Sequence, residues 1–135
     1  MLQFYFLSIT SNFIAGMVLS SDWLAKRLGA IASLTAGLSS RRAKLICGLA
    51  VLLVGFGTLF VPAEGPLVIG DLFPSMVGMA MGIALLFEVF KQDALFPNET
   101  VERADRVPVG YRTTLGVLGL AAAVLHFFLP ERPFL

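Results

Sequence analysis

At 135 residues, with 57% hydrophobic and 14% charged residues and a mean hydropathy of +0.85, the chain carries more apolar surface than a globule of its size can hide. That excludes an ordinary soluble domain and makes a lipid bilayer the cover for the remainder. The net charge of +1 gives no sign of a nucleic-acid partner, and in a membrane chain the distribution of charge among the connections matters more than its sum.

The first apolar stretch runs from Leu2 to Leu19. It has no basic start, carries Ser8, Thr10, Ser11 and Asn12 in its middle, and precedes Ser20-Ser21-Asp22-Trp23 rather than a small-residue cleavage site. It therefore reads as a retained helix and not as a secretory signal. Ser8, Ser11, Asn12, Ala15 and Gly16 share one face, a small and polar seam suited to close packing and interhelical hydrogen bonds.

The connection from Ser20 to Lys44 is too long for a bare turn. Leu24, Leu28, Ile31, Leu34 and Leu38 recur at spacings of four, three, three and four, which predicts one amphipathic helix on the inner leaflet. Trp23 would sit at headgroup level, Asp22 or Ser21 would cap the helix, and Lys26, Arg27 and Ser33 would form its polar side. The rival reading, a re-entrant segment over Leu28 to Leu38, offers about 11 residues, too few to span.

Leu45 to Val61 is the second stretch, with Gly48, Gly55 and Gly57. Its Cys47 is the only cysteine, so an internal disulfide is excluded; it reads as a small buried hydrophobe ahead of a redox or lipidated thiol. After the connection Ala63 to Gly70 comes the third stretch, Leu72 to Phe90. Asp71 can cap it, with Pro74 tolerated in the first turn, and proton or cation handling is the functional alternative for that carboxylate. Ser75, Gly78 and Gly82 form a small-residue step for close helix approach, and Met76, Met79 and Met81 around it read as adaptable packing. Glu88 lies about 25 Å along the helix from Asp71, so one subunit cannot use both on one ion; an interfacial ion pair with Lys91 is expected instead.

In the connection Lys91 to Arg112, Pro97-Asn98 sets a turn and cap, and Glu99 with Arg103 and Glu102 with Arg106 make acid-first pairs on a short solvated helix that Pro108 stops. Asn98-Glu99-Thr100 matches a glycosylation sequon, accidental if the loop is cytoplasmic. The fourth stretch, Thr113 to Leu129, holds Gly116, Gly119 and the run Ala121 to Ala123. His126 near its end is expected to bond to a neighbouring helix, because no Cys, Asp or Glu lies close by in sequence to complete a metal site.

Orientation follows from charge. Nine of the ten Lys and Arg residues fall in the two long connections, the first holding Lys26, Arg27, Arg41, Arg42 and Lys44, and Ala63 to Gly70 has none. Basic residues resist translocation, so both long connections are expected in the cytoplasm and both termini outside, in a multi-pass protein of the cell (inner or plasma) membrane. A faint repeat accompanies this pattern. Sliding the chain by 68 residues lays Lys44 on Arg112, Gly48 on Gly116, Leu52 on Leu120, Phe60 on Phe128 and Pro62 on Pro130, although the first and third stretches then share almost no identities. If real, it makes two helix pairs in parallel orientation.

The fold expected is thus an all-α integral membrane domain of about four transmembrane helices plus an interfacial helix. With no phosphate loop, catalytic triad order, His-Glu-x-x-His or Cys pair, no enzymatic activity, cofactor or metal is expected. The sequence points to an accessory or self-associating subunit that meets other membrane proteins or further copies of itself. The alternative is an oligomeric small-solute or ion transporter or channel, with Asp71, Asn12 or His126 near the pathway, and a weaker third reading is a lipid sensor using Lys26, Arg27, Arg41 and Arg42.

Overall fold

Runs of Leu, Val, Phe, Ala and Gly whose single proline falls in a first turn can satisfy their backbone N–H groups within a helix. The computed structural model, which describes residues 2–60, 72–91 and 109–128 together with Glu99 and Glu102, is helical along every such run, and no strand occurs among the described residues. In chain order these are α1 (Leu2–Leu19), α2 (Ser21–Arg27), a 3-10 turn (Gly29–Ile31), α3 (Ala32–Leu38), α4 (Arg41–Phe60), α5 (Leu72–Phe90) and α6 (Val109–Phe128). Three helices are long and apolar enough to cross a membrane, over Arg41–Phe60, Leu72–Phe90 and Tyr111–Phe128; the apolar part of α1, Tyr5–Leu19, is shorter.

Both α4 and α6 start four residues ahead of their apolar runs, so Arg41, Arg42, Lys44 and Arg112 lie in helical first turns rather than in loops. Ser40 permits this on α4, since its hydroxyl accepts from Ala43 N–H at 3.3 Å and its carbonyl from Lys44 N–H at 3.0 Å.

The single amphipathic helix expected after α1 does not form. A straight helix would hold Leu24 and Leu38 about 21 Å apart, whereas Leu24 is buried and Leu38 packs on the core. The chain instead leaves helical geometry at Leu28 (φ −124°, ψ 73°) and folds back, so that Ser39 Oγ meets Ser21 Oγ at 2.9 Å. The expected caps are also replaced. Ser20 occupies the cap position, and its hydroxyl turns back to the Gly16 carbonyl at 2.6 Å, leaving α2 almost continuous with α1.

The four long helices alternate in direction. Tyr5 lies beside His126 and Gly16 beside Gly116, so α1 and α6 are antiparallel; Ser75 meets Thr58 and Gly82 meets Gly48, so α4 and α5 are too. The start of α6 meets both the end of α1, Gly116 against Ser20, and the end of α5, Arg112 against Glu88, so α1 and α5 are parallel, and Asn12 bridges them to Pro74. The most extensive packing is α4 on α5 and α1 on α6; α1 and α5 also touch each other, forming the centre, with α4 and α6 on the flanks. Ala15, Val18, Leu19, Val51, Met81 and Leu85 fill that centre, with Cys47 half-buried against them.

Two glycine contacts set the spacing of the bundle, and they have the same form. A Cβ on Gly82 would lie 2.9 Å from the Gly48 carbonyl oxygen and 3.0 Å from Leu52 N. One on Gly16 would lie 2.8 Å from the Gly116 carbonyl oxygen and 3.0 Å from Leu120 N. Gly48 and Leu52 precede Gly116 and Leu120 by 68 positions, as in the sequence slide, but Gly16 precedes Gly82 by only 66. Burial follows the same registers. Gly48, Val51, Gly55 and Thr58 match Gly116, Gly119, Ala123 and His126, while Ser8, Asn12, Ala15, Gly16 and Leu19 match Pro74, Gly78, Met81, Gly82 and Leu85, every one buried. The two pairs of helices thus match at different shifts, 68 for α4 with α6 and 66 for α1 with α5.

Alanine at Gly82 must push backbone atoms of α4 away, whereas a Cβ on Gly57 meets nothing within 4 Å. Gly82→Ala should therefore lower stability by about 1–3 kcal/mol, and Gly57→Ala should be neutral or raise it by up to about 1 kcal/mol through helix propensity. Unfolding in detergent followed by circular dichroism separates the two; equal effects would contradict this packing.

Candidate functional site

Polar side chains enter this bundle at three levels, each with its own set of helices. At the basic end, Glu88 near the C-terminus of α5 stands between the first turns of the two flanking helices. Lys44 Nζ lies 3.0 Å from Glu88 Oε2, and Arg112 Nε contacts Oε1. The Glu88 side chain is 9% exposed, against 22% for Lys44 and 34% for Arg112. Each cation is the fourth residue of its helix, where the helix end already carries partial positive charge. One carboxylate thus offsets two cations and two helix N-termini, and ties α5 to both flanks. The sequence suggested a pair with Lys91 at i+3; the partners found here, Lys44 and Arg112, are long-range and were not legible in it, although the slide of 68 residues does superimpose Lys44 on Arg112.

At mid-bundle, Asn12 is 3% exposed. Its Nδ2 donates to the Pro74 carbonyl at 3.1 Å, linking the two central helices, while Oδ1 has no hydrogen-bond partner among the described residues. That oxygen occupies the space left by Gly78, where a Cβ would lie 2.6 Å from it. An unpaired amide oxygen of this kind costs about 1–3 kcal/mol, so the site holds a hydrogen-bonding capacity that packing alone does not use. Ser8, on the same face of α1, is buried, and its carbonyl accepts from the Ser11 hydroxyl at 3.0 Å.

Towards the far end, Thr58 donates its hydroxyl proton to the Gly55 carbonyl at 3.0 Å, so the 2.6 Å contact with Ser75 is a bond that Ser75 donates. His126 is 3% exposed; its ring lies 4.7 Å from that of Tyr5, whose hydroxyl donates to the His126 carbonyl. The imidazole's neighbour on α1 is thus Tyr5, which stacks on the ring and bonds to the main-chain carbonyl rather than to a ring nitrogen.

The small residues are used within the chain. Gly16, Gly78, Gly82 and Ser75 all face other helices of the same bundle. Lys26, Arg27, Arg41 and Arg42 are exposed around the basic end, and every described Lys and Arg lies at that end. Asp71 lies outside the described residues, as do Arg103 and Arg106 of the expected pairs and most of the sequon. Among the described residues, no three His, Cys, Asp or Glu side chains gather to hold a metal.

A family model matches residues 1–126, and the chain belongs to that family, which is one of unknown function. No curated protein and no solved structure matches the chain.

Removing the charge at the basic end should leave two cations facing two helix N-termini. Glu88→Gln is expected to cost about 1–3 kcal/mol, less than a fully buried pair because both partners reach solvent, and Arg112→Gln should cost less than Glu88→Gln. Denaturant titration in detergent measures both; a Glu88→Gln protein as stable as the parent would refute the clamp.

Proposed function

We propose that this member of a family of unknown function is a small, non-enzymatic subunit of the cell membrane that crosses the bilayer about four times, keeps its two long connections in the cytoplasm, and contacts other membrane proteins or further copies of itself. The carrying observation is how the surface divides. Around the middle of the bundle the exposed side chains are Phe13, Leu49, Leu53, Phe56, Ile83 and Leu118, between 43% and 62% exposed, and the described cations are confined to one end. Water is the wrong solvent for such a girdle, and lipid or another apolar helix is the right one. The basic end then marks the cytoplasmic face.

Four crossings need α1 as a spanning helix. Its 18 residues reach about 27 Å, and α2 prolongs it past Ser20, which supports that role. The shared glycine and burial registers support reading the chain as two parallel helix pairs, 2–60 and 72–128, related by an axis along the membrane normal. With Met81, Leu85, Val18 and Val51 filling the centre, we assign the contacts that matter for function to the outside of the bundle. Because the glycine seams are consumed internally, larger side chains on α4 and α6, among them Phe60 and Phe128 at 70% and 72% exposed, are the surface for a neighbour. Extraction in mild detergent followed by mass measurement tests this: a particle heavier than one 14.5 kDa chain after detergent correction, or a companion protein at fixed ratio, is expected. A strictly monomeric particle without a companion would reject it.

One observation favours a second reading, an oligomeric solute or ion transporter or channel. The unpaired Asn12 oxygen lies at the depth where such proteins bind their cargo. On that reading, flux into proteoliposomes drops sharply for Asn12→Ala or Asp71→Asn while helix content is kept. Unaltered flux in both variants dismisses these residues.

A further inference from the structure

The segment that folds back between α1 and α4 is held to the bundle at its root. Ser39 bonds to Ser21 at 2.9 Å, Leu24 is buried, and Leu38 packs on the core. Away from those anchors it keeps large apolar side chains outward, with Trp23 40%, Leu28 53% and Leu34 56% exposed. Cations stand among them. Lys26 and Arg27 close α2 next to Leu28, and the Arg27 guanidinium lies 5.8 Å from the centre of the Trp23 ring. Arg41 and Arg42 follow the returning helix at the start of α4. Between Ser20 and Lys44 five cations stand against one acid, Asp22, so this segment carries a net positive charge in sequence, and Glu88 is engaged by Lys44 and Arg112.

We propose that this helical hairpin is a docking surface for the headgroups of anionic phospholipids, with Lys26 and Arg27 contacting them at its tip and Arg41 and Arg42 at its root. The inference rests on the membrane reading above and goes further, since it names a lipid class. Exposed Trp and Leu side chains would be served equally by any interface, because they seek only the boundary between headgroups and acyl chains. The cations discriminate, each drawing anionic lipid by Coulomb attraction that fades within a Debye length. Two sequence-separated pairs of cations, brought to one segment by the fold, favour a lipid surface over a single small anion.

The chain contains one tryptophan, so its fluorescence reports this hairpin alone. The full-length protein is reconstituted into phosphatidylcholine and phosphatidylglycerol vesicles of fixed ratio, in which either the zwitterionic or the anionic lipid is brominated. Brominated phosphatidylglycerol is expected to quench Trp23 about fivefold more strongly per mole than brominated phosphatidylcholine. That preference should shrink at high salt and be lost in the combined Lys26→Gln, Arg27→Gln, Arg41→Gln and Arg42→Gln variant, with circular dichroism confirming an unchanged helix content. Equal quenching by both lipids, or a preference that survives the four substitutions, overturns the inference and leaves the membrane reading standing. Protein that fails to float with the vesicles overturns the membrane reading itself. Protein that floats while neither lipid quenches Trp23 overturns only the lipid surface and directs attention to an acidic protein partner for the same cations.

Discussion

Four helices can share one centre here because backbone meets backbone where side chains are missing. The paired approaches of Gly82 to Gly48 and of Gly16 to Gly116 bring α5 against α4 and α1 against α6 closely enough that a methyl group would strike a carbonyl oxygen in either place. Such proximity increases the number of dispersion contacts and places hydroxyl and amide groups within reach of the neighbouring helix, which matters most where water is excluded. The Thr58–Ser75 bond depends on it, and between α1 and α5 Gly78 likewise leaves the room that Asn12 fills beside its bond to Pro74. The basic end depends on the same closeness, because Glu88 can touch Lys44 and Arg112 together only if both flanking helices are drawn close to α5.

Much of this was readable from composition and spacing. The bounds of α1 and α5 coincide with the apolar runs, since neither run has a charge before its last turn and Pro74 falls where a missing N–H is harmless. The starts of α4 and α6 were missed because hydropathy ends at the first charge whereas the hydrogen-bond ladder does not. The amphipathic period after α1 was a real signal for an apolar face. It could not tell that the bundle would claim both Leu24 and Leu38 and so bend the segment back on itself.

The candidate site was legible residue by residue and not as an arrangement. Asn12, Glu88 and His126 stood out because polar groups in apolar surroundings need partners. Their partners lie far away in sequence: Pro74 for Asn12, Lys44 and Arg112 for Glu88, Tyr5 for His126. Periodicity describes one helix at a time, so it names the face that needs a neighbour but not the neighbour. The slide of 68 residues came nearest to supplying that information, since it superimposes Lys44 on Arg112 and Gly48 on Gly116, and it is silent on α1 and α5, where the matching glycines Gly16 and Gly82 are 66 positions apart.

The two close glycine contacts have the same form, but the acid at the basic end sets the two central helices apart. In the register that joins Gly16 to Gly82, Glu88 corresponds to Asp22, which is exposed on α2 rather than held between the cations. The two central helices thus divide their labour at one rim: α5 supplies the counterion for both flanking helices, and α1 runs on into the hairpin that carries Trp23. An approaching molecule would meet a different surface according to whether it reached α5 with its carboxylate or α1 with its hairpin first, so the bundle has a front and a back.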